Sequence, residues 1–297
     1  MKNISLIRKY AAILLSVSVA FPLEACAKEQ TLLVEPIGII TMTTRDSEEV
    51  CFTLSGAENI AVDWGDGKKS NINDADRWEG TDQFTFSHVY SGTNAKNIVI
   101  TGNVTLFSCS LYKLTALDVS RCPALIVLEV GSCELTALDV SQNTALKILD
   151  CRYNQLTVLD MSRNTALTEL SCNSNQLTAL DLSRNTSLTG LNCRDNKLTT
   201  LDLSRNTSLV SFELCNNQII NLKVSAEAPL RAICCKDNQL TASALNDLFI
   251  SLPYIYEGTW ASINYGGTNP GTLDCDSSIA EKKGWGFDQL HGSNAYR

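Results

Sequence analysis

The sequence predicts a mainly-β chain: a solenoid of short coils, preceded by a small β-sandwich and closed by a small α+β cap. Three observations point there. From Leu114 to Gln239 the chain repeats every 21 residues. Before that stretch, short alternating apolar runs are separated by Gly, Asn and Asp, the pattern of half-buried strands joined by turns. After it the period breaks into one apolar helical stripe, a strand and a second short helix pattern. The composition, 44% hydrophobic and 19% charged over 297 residues, is that of a chain able to bury a core.

Residues 1–25 read as an export signal. Lys2, Arg8 and Lys9 form a positive start, and Tyr10 to Phe21 is an apolar run too short to span a bilayer comfortably. Two processing readings compete. Leu23-Glu24-Ala25-Cys26 resembles a bacterial lipobox, which would put a lipid anchor on Cys26. Ala25-Cys26-Ala27 fits ordinary secretion with cleavage after Ala27. Residues 26–36 then serve as a tether. Loss of residues 1–25 removes three bases and one acid, leaving a mature chain at −10 against −8 for the whole. An acidic chain of this size lacks the basic face that nucleic acid needs.

Residues 37–108 carry the runs GIITMTT, VCFTLS, NIAVDW, QFTFSHVY and NIVITG. Asp63-Trp64-Gly65-Asp66-Gly67, followed by His88-Val89-Tyr90, is similar to the PKD (polycystic-kidney-disease) family of Ig-like domains. That resemblance implies a β-sandwich. Asp63 and Asp66 have the chemistry for calcium. The favoured reading is a tight turn, with glycines supplying positive φ and Trp64 packed in the core. His88 reads as a hydrogen-bonded strand residue.

Residues 109–239 form the repeats. Six units start at Leu114, Leu135, Leu156, Leu177, Leu198 and Ile219, with the consensus LTxLDLSxNTxLxxLxCxxNQ. Apolar residues recur at unit positions 1, 4, 6, 12, 15 and 17. Position 17 holds Val130, Cys151, Cys172, Cys193, Leu214 and Cys235, so cysteine there behaves as a small buried hydrophobe; one period back lies Cys109. Asparagine fills position 20 (Asn154, Asn175, Asn196, Asn217, Asn238) and position 9 (Asn143, Asn164, Asn185, Asn206), where an amide can bond the backbone of neighbouring coils. The first unit has Cys122 and Cys133 at those two places, as an atypical end unit would.

These columns resemble the leucine-rich repeat family, in its 21-residue cysteine-ladder class, and are similar to some internalin-type bacterial surface proteins. The resemblance implies parallel coils with one short strand each on a concave face. At about 4.8 Å per coil, six units stack to roughly 25–30 Å. Parallel Cβ vectors in one column argue for free buried thiols rather than a disulfide scaffold. Eleven cysteines remain without Cys26, an odd number; Cys51 and Cys275 have no assigned partners.

Position 5 repeats Asp118, Asp139, Asp160, Asp181 and Asp202, then Lys223. It reads either as a cation-binding ladder or, preferably, as a solvated face bonded locally to Ser and backbone and offset by Arg163, Arg184 and Arg205. Positions 14, 16, 18 and 19 vary instead of repeating, so they read as a recognition surface. They hold Asp150, Arg152 and Tyr153; Glu169, Ser171 and Asn173; Asn192, Arg194 and Asp195; Glu213 and Asn216.

Residues 240–297 read as the cap. Thr241 caps a helix with the stripe Leu245, Leu248, Phe249 and Leu252, and Pro253 stops it. A strand around Trp260 to Tyr265 and the turn Asn269-Pro270-Gly271 follow. Ser278-Ile279-Ala280-Glu281 has the capping-box pattern of a last helix, ended by Gly284.

No phosphate-cradling loop, zinc-protease motif or nucleophile elbow occurs, and two histidines make multi-histidine metal sites or triads improbable chemistry. The expectation is a non-enzymatic module without cofactor or metal. It is exported to a bacterial surface, outer membrane or periplasm and binds a protein partner, in adhesion or recognition, through the repeats. The alternative is a glycan-binding surface protein that uses the N-terminal sandwich, since Trp64, Trp78, Trp260 and Trp285 all lie outside the repeats. A self-associating surface-layer component is the third reading. Membrane contact is expected only through a lipid on Cys26.

Overall fold

A computed structural model describes residues 38–287, apart from 46–48, 57–58, 93, 111–112 and 257. The export signal, Cys26, the tether and His291 lie outside the described residues.

Nine strands precede the regular coils. They are β1 (Ile39–Thr44), β2 (Glu49–Gly56), β3 (Ala61–Asp63), β4 (Lys69–Asn71), β5 (Asp76–Arg77), β6 (Gln83–Val89), β7 (Lys96–Thr101), β8 (Val104–Ser108) and β9 (Leu114–Arg121). Five of them pair antiparallel in the order β4-β3-β7-β1-β9. The others pair antiparallel as β5-β6-β2-β8. All five apolar runs read from the sequence are strands. The strands β4, β5 and β8, short or set between glycine-rich turns, were not foreseen. Trp64 and Phe52, Phe86 and Phe107 fill the space between the two groups, with Phe52 5.5 to 5.9 Å from the other three rings.

The Asp-Trp-Gly-Asp-Gly segment is a tight turn. Gly65 and Gly67 have φ of 73° and 90°. The Asp63 carboxylate accepts from Gly65 N and that of Asp66 from Lys68 N, while Asp66 also meets His88 Nε2 at 2.8 Å. Trp64 is buried and stacked on the His88 ring. Both carboxylates are therefore engaged in the turn and its ion pairs, as the turn reading requires.

Strand β8 joins this region to the repeats. It pairs antiparallel with β2 on one edge and parallel with β10 (Val127–Glu129) on the other. From there parallel three-residue strands follow, one per coil: β11 (Ile148–Asp150), β12 (Glu169–Ser171), β13 (Gly190–Asn192), β15 (Ser211–Glu213), β17 (Ala232–Cys234), β18 (Ser262–Asn264) and β19 (Gly286–Phe287). Two further strands, β14 (Thr200–Leu203) and β16 (Asn221–Val224), pair parallel across the coil from this sheet. The result is a mainly-β solenoid of about nine turns. Its registers all join equal unit positions: Leu149 faces Leu170, which faces Leu191, which faces Phe212.

Every apolar column points inward. Leu at positions 1, 12 and 15, and the cysteine column at 17, are 0–2% exposed in the central coils. Each position-20 asparagine uses its whole amide. Asn175 Nδ2 donates to Cys151 O of the preceding coil and Cys172 O of its own, and its Oδ1 accepts from Leu156 N, all at 3.0–3.1 Å. Such bonds satisfy buried turn carbonyls that no strand can reach. The position-9 asparagines bond two carbonyls through Nδ2, while Oδ1 of Asn143, Asn164, Asn185 and Asn206 finds no partner among the described residues. Cys133, standing where asparagine belongs, directs Sγ at Cys109 O and Gly131 O, a weaker version of the same contacts.

Three expectations change past or near the end of the repeats. The asparagine ladder does not stop at Asn238. Asn269, read as a turn residue, donates to Cys235 O and accepts from Leu240 N at 3.0 Å. The strands step by 30 residues here, Ala232 pairing with Ser262, and the asparagines by 31, so a coil with the helix Ala242–Ser251 inserted stacks like one of 21. That helix has the foreseen cap, Thr241 Oγ1 accepting from Ala244 N, and buries Leu245, Leu248 and Phe249. The last helix, Ser278–Glu281, lacks the capping box: its N-cap is Ser277, which makes no cap bond, and Ser278 already lies inside the first turn. Finally, not every thiol is free. Cys215 and Cys234 form a disulfide with Cα atoms 5.8 Å apart. They occupy positions 18 and 16 of successive units, so a diagonal across two coils brings together what one column would not. The column cysteines Cys151, Cys172, Cys193 and Cys235 remain thiols, and burial raises the pKa of each, to about 12 for Cys172 and Cys235.

Candidate functional site on the outward face of the parallel sheet

A strand alternates its side chains, so with position 15 inside, positions 14 and 16 point outward. On β11 to β15 this places Asp150, Glu169, Ser171, Asn192 and Glu213 in two neighbouring columns of one sheet face, all half-buried between adjacent coils. Position 18 begins the turn after each strand. There Arg152 is exposed and Arg194 half-buried, whereas Asn173 is only 8% exposed and is withdrawn from the surface expected for it.

Charges on the face are paired across short intervals. Arg152 Nε lies 3.2 Å from Asp150, and Arg194 Nη1 lies 3.6 Å from Glu213 Oε2, which also accepts from Asn192 Nδ2. Asp150 and Asn192 each turn an oxygen back to the backbone N–H two residues on. Arg194 Nε is buried without a hydrogen-bond partner among the described residues. Glu169 instead folds along its own column: Oε1 accepts from Thr189 Oγ1 at 2.8 Å, and the carboxylate occupies the space a Cβ on Gly190 would fill. Arg152 lies over Gly131 in the same manner. Burial pushes the carboxyl pKa of Asp150, Glu169 and Glu129 upward.

Glu129 was missed. It is position 16 of the first unit, paired with Ser108 and Asp150, so carrying the column one period back would have found it. Gly131 and Gly190 were missed as well, because a glycine offers no side chain to suspect.

Position 19 has a second explanation for its composition. Ser132, Tyr153, Ser174, Asp195, Asn216 and Asp237 all have φ between 52° and 59°, and Gly267 occupies the same place in the long coil. Small polar residues tolerate this left-handed geometry best. Asp195 and Asn216 bond each other at 2.7 Å along the stack. Tyr153 departs from that chemistry and is 56% exposed, which makes it the one aromatic presented by the repeats among the described residues.

The position-5 aspartates occupy another face. Asp118, Asp139, Asp160, Asp181 and Asp202 each accept from the serine N–H two residues on at 2.8–2.9 Å. Hydrogen bonds from these serines hold Asp118, Asp160, Asp181 and Asp202 below the ordinary carboxyl range. The column is a row of turn caps on a solvated face, with Lys223 3.9 Å from Asp202 at its end. Of the four tryptophans, Trp64 and Trp285 are buried, Trp78 is half-buried with its indole bonded to Thr85, and only Trp260 is widely exposed.

No protein-family model matches the sequence, and no curated protein does. Solved structures do resemble the fold. The functional domain of InlJ from Listeria monocytogenes, which includes a cysteine ladder, is 27% identical over 64% of this chain and 51% of its own, with a TM-score of 0.43. The internalin InlF of the same organism is 17% identical over 55% and 48%, with a TM-score of 0.44. A leucine-rich-repeat protein of Leptospira interrogans is 20% identical over 57% and 50%, with a TM-score of 0.43. This chain spans about half the length of each. Among the described residues no helix is long and apolar enough to cross a membrane.

Proposed function

We propose that the chain is an exported bacterial recognition module, not an enzyme, whose outward sheet face binds a protein partner in adhesion or surface recognition. One observation carries the reading. Columns that point inward repeat almost without change, while positions 14, 16 and 18 on the outward face change chemistry from coil to coil. A scaffold column is constrained by packing; a varied polar column with charges locked at short range offers a specific pattern to a partner. The sequence resemblance supports treating that face as concave.

The proposal includes export by residues 1–25, a lipid or a free end at Cys26 to Ala27, and a PKD-like sandwich spanning 37–108. It also includes repeats over 109–239 and a cap over 240–297. The basic start, the apolar run and the Asp-Trp-Gly-Asp-Gly turn support these assignments.

The test is capture of host and bacterial surface proteins on the immobilised full chain, beside a variant carrying Asp150→Ala, Tyr153→Asn, Asn192→Ala and Arg194→Ala. Asparagine at 153 keeps the left-handed turn. Proteins held by wild type and lost by the variant, at an unchanged circular dichroism spectrum, support the face. Equal capture by both would sink the assignment.

A further inference from the structure

Outside the repeats, the segment from Pro253 to Trp260 presents Tyr254, Tyr256 and Trp260 at 69%, 77% and 66% exposure. Three large aromatics within seven residues, none of them sheltered, is not what folding alone selects. Two further observations show that this is neither looseness nor spare core.

The backbone beneath them is pinned. Ile255 N donates to Lys283 O, Trp285 Nε1 donates to Pro253 O, and Lys283 Nζ donates to Ile250 O and Leu252 O. Thr259 closes the far end on Tyr256 O through both its N and its Oγ1. Ile255 packs inward between the two exposed tyrosines, Tyr254 and Tyr256. The Lys283 ammonium lies 5.4 Å from the Tyr254 ring centre.

The polar ends of these side chains are unspent. Trp64, Trp78 and Trp285 all donate their indole N–H within the protein. Trp260 Nε1 and the hydroxyls of Tyr254 and Tyr256 have no hydrogen-bond partner among the described residues. No described phenylalanine is exposed. The exposed aromatics of this segment thus all pair an apolar face with a hydrogen-bonding edge, beside the exposed aliphatic Ile250. A purely apolar partner would waste those edges and leave donors unsatisfied. A sugar ring offers the matching pair, a face of C–H bonds and a rim of hydroxyls.

We propose that Tyr254, Tyr256 and Trp260 form a carbohydrate-binding platform, taking the C–H faces of neighbouring pyranose units of a polysaccharide. It stands apart from the outward sheet face and from the N-terminal strands where the sequence alone placed glycan binding.

Affinity electrophoresis of the full chain in gels cast with β-glucan, xylan, mannan or pectin tests this. At least one polysaccharide should retard the wild type, quench Trp260 fluorescence and bind Trp260→Ala about tenfold more weakly. Trp260→Phe should retain part of the affinity, since stacking survives without the N–H. The Asp150/Tyr153/Asn192/Arg194 variant should migrate as wild type does. Because the three rings are exposed, Tyr256→Ala and Trp260→Ala should melt at the wild-type temperature. Absence of retardation in all four gels overturns the platform, as does equal retardation of wild type and Trp260→Ala. A protein captured by wild type and lost by the Tyr256 and Trp260 variants, with no polysaccharide bound, overturns it in favour of a protein-docking surface.

Discussion

A position-20 asparagine does with one amide what a strand does with many residues. Asn175 satisfies two carbonyls and one N–H that the turn would otherwise bury unpaired. Asn175→Ala therefore leaves three backbone groups stranded and is expected to cost about 3–5 kcal/mol, at ~1–3 kcal/mol per buried unsatisfied group with partial relief by water. Urea denaturation followed by circular dichroism measures it. A loss under 1 kcal/mol would mean that the ladder is incidental. Glu169 works in the opposite direction. Burial raises its folded-state pKa, so its contribution is most favourable below its unfolded pKa and is lost as pH rises through the raised value. Glu169→Gln keeps an oxygen for Thr189 and removes the charge. The variant should melt above wild type at pH 7, and the gap should close as pH falls below about 4. A gap independent of pH would show that burial of the charge is not the cause.

The element that defines this molecule is the coil, and its cysteine column shows how tightly a coil is filled. Cys151, Cys172, Cys193 and Cys235 are fully buried, and burial disfavours the thiolate in each. The thiolate is the reactive form. These four should resist a thiol reagent at pH 8 in the native protein and titrate fully in 6 M guanidinium. Cys51, exposed on the outer face of β2, should react well before them, although partial burial and the neighbouring Glu49 and Asp76 raise its thiol pKa too. Early modification of Cys172 would show that the coils open locally. The same tightness explains Gly190 and Gly131, each standing where the neighbouring coil lays a long side chain. The coil past Asn238 escaped sequence reading for another reason, although its helix was foreseen. With the helix inserted, the distance from Asn238 to Asn269 is no longer 21, and periodicity cannot follow a coil whose far side has been lengthened.

Across the whole molecule the repeats were legible, and so were the helix and the strand that follow them; that this closing stretch stacks as further coils on the same sheet was not. Columns at 1, 12, 15 and 17 named the core because inward packing demands the same residue type in every coil. The site was legible as a face but not in detail. Position 19 looked like free variation, yet its φ values restrict it, and Asn173 looked exposed, yet lies 8% exposed beneath its neighbours. Neighbour height leaves no mark on a single sequence, and left-handed backbone shows there only as the bias of position 19 toward small polar residues. A repeat stack is stabilised chiefly between neighbours, so removing one internal unit should preserve the fold. Deletion of residues 156–176 joins Gln155 to Leu177 and keeps every column in register. The shortened chain should unfold cooperatively with a smaller m-value. Deletion of 166–176 alone breaks the register and should not fold. Comparable stability of the two would contradict nearest-neighbour stacking.

The amides that fasten each coil also have a direction. Asn154, Asn175 and Asn196 each reach 24 residues back, never forward, to a carbonyl on the coil before. The first regular coil finds its own template in β8, already held by β2. The stack therefore has a seed at its amino end, and each later coil brings the asparagine that bonds it to the one before. A chain threaded amino-end first through a pore presents the seed before anything that must be laid upon it. Each newly emerged coil then meets a finished surface, and the unfinished edge travels with the exit of the chain.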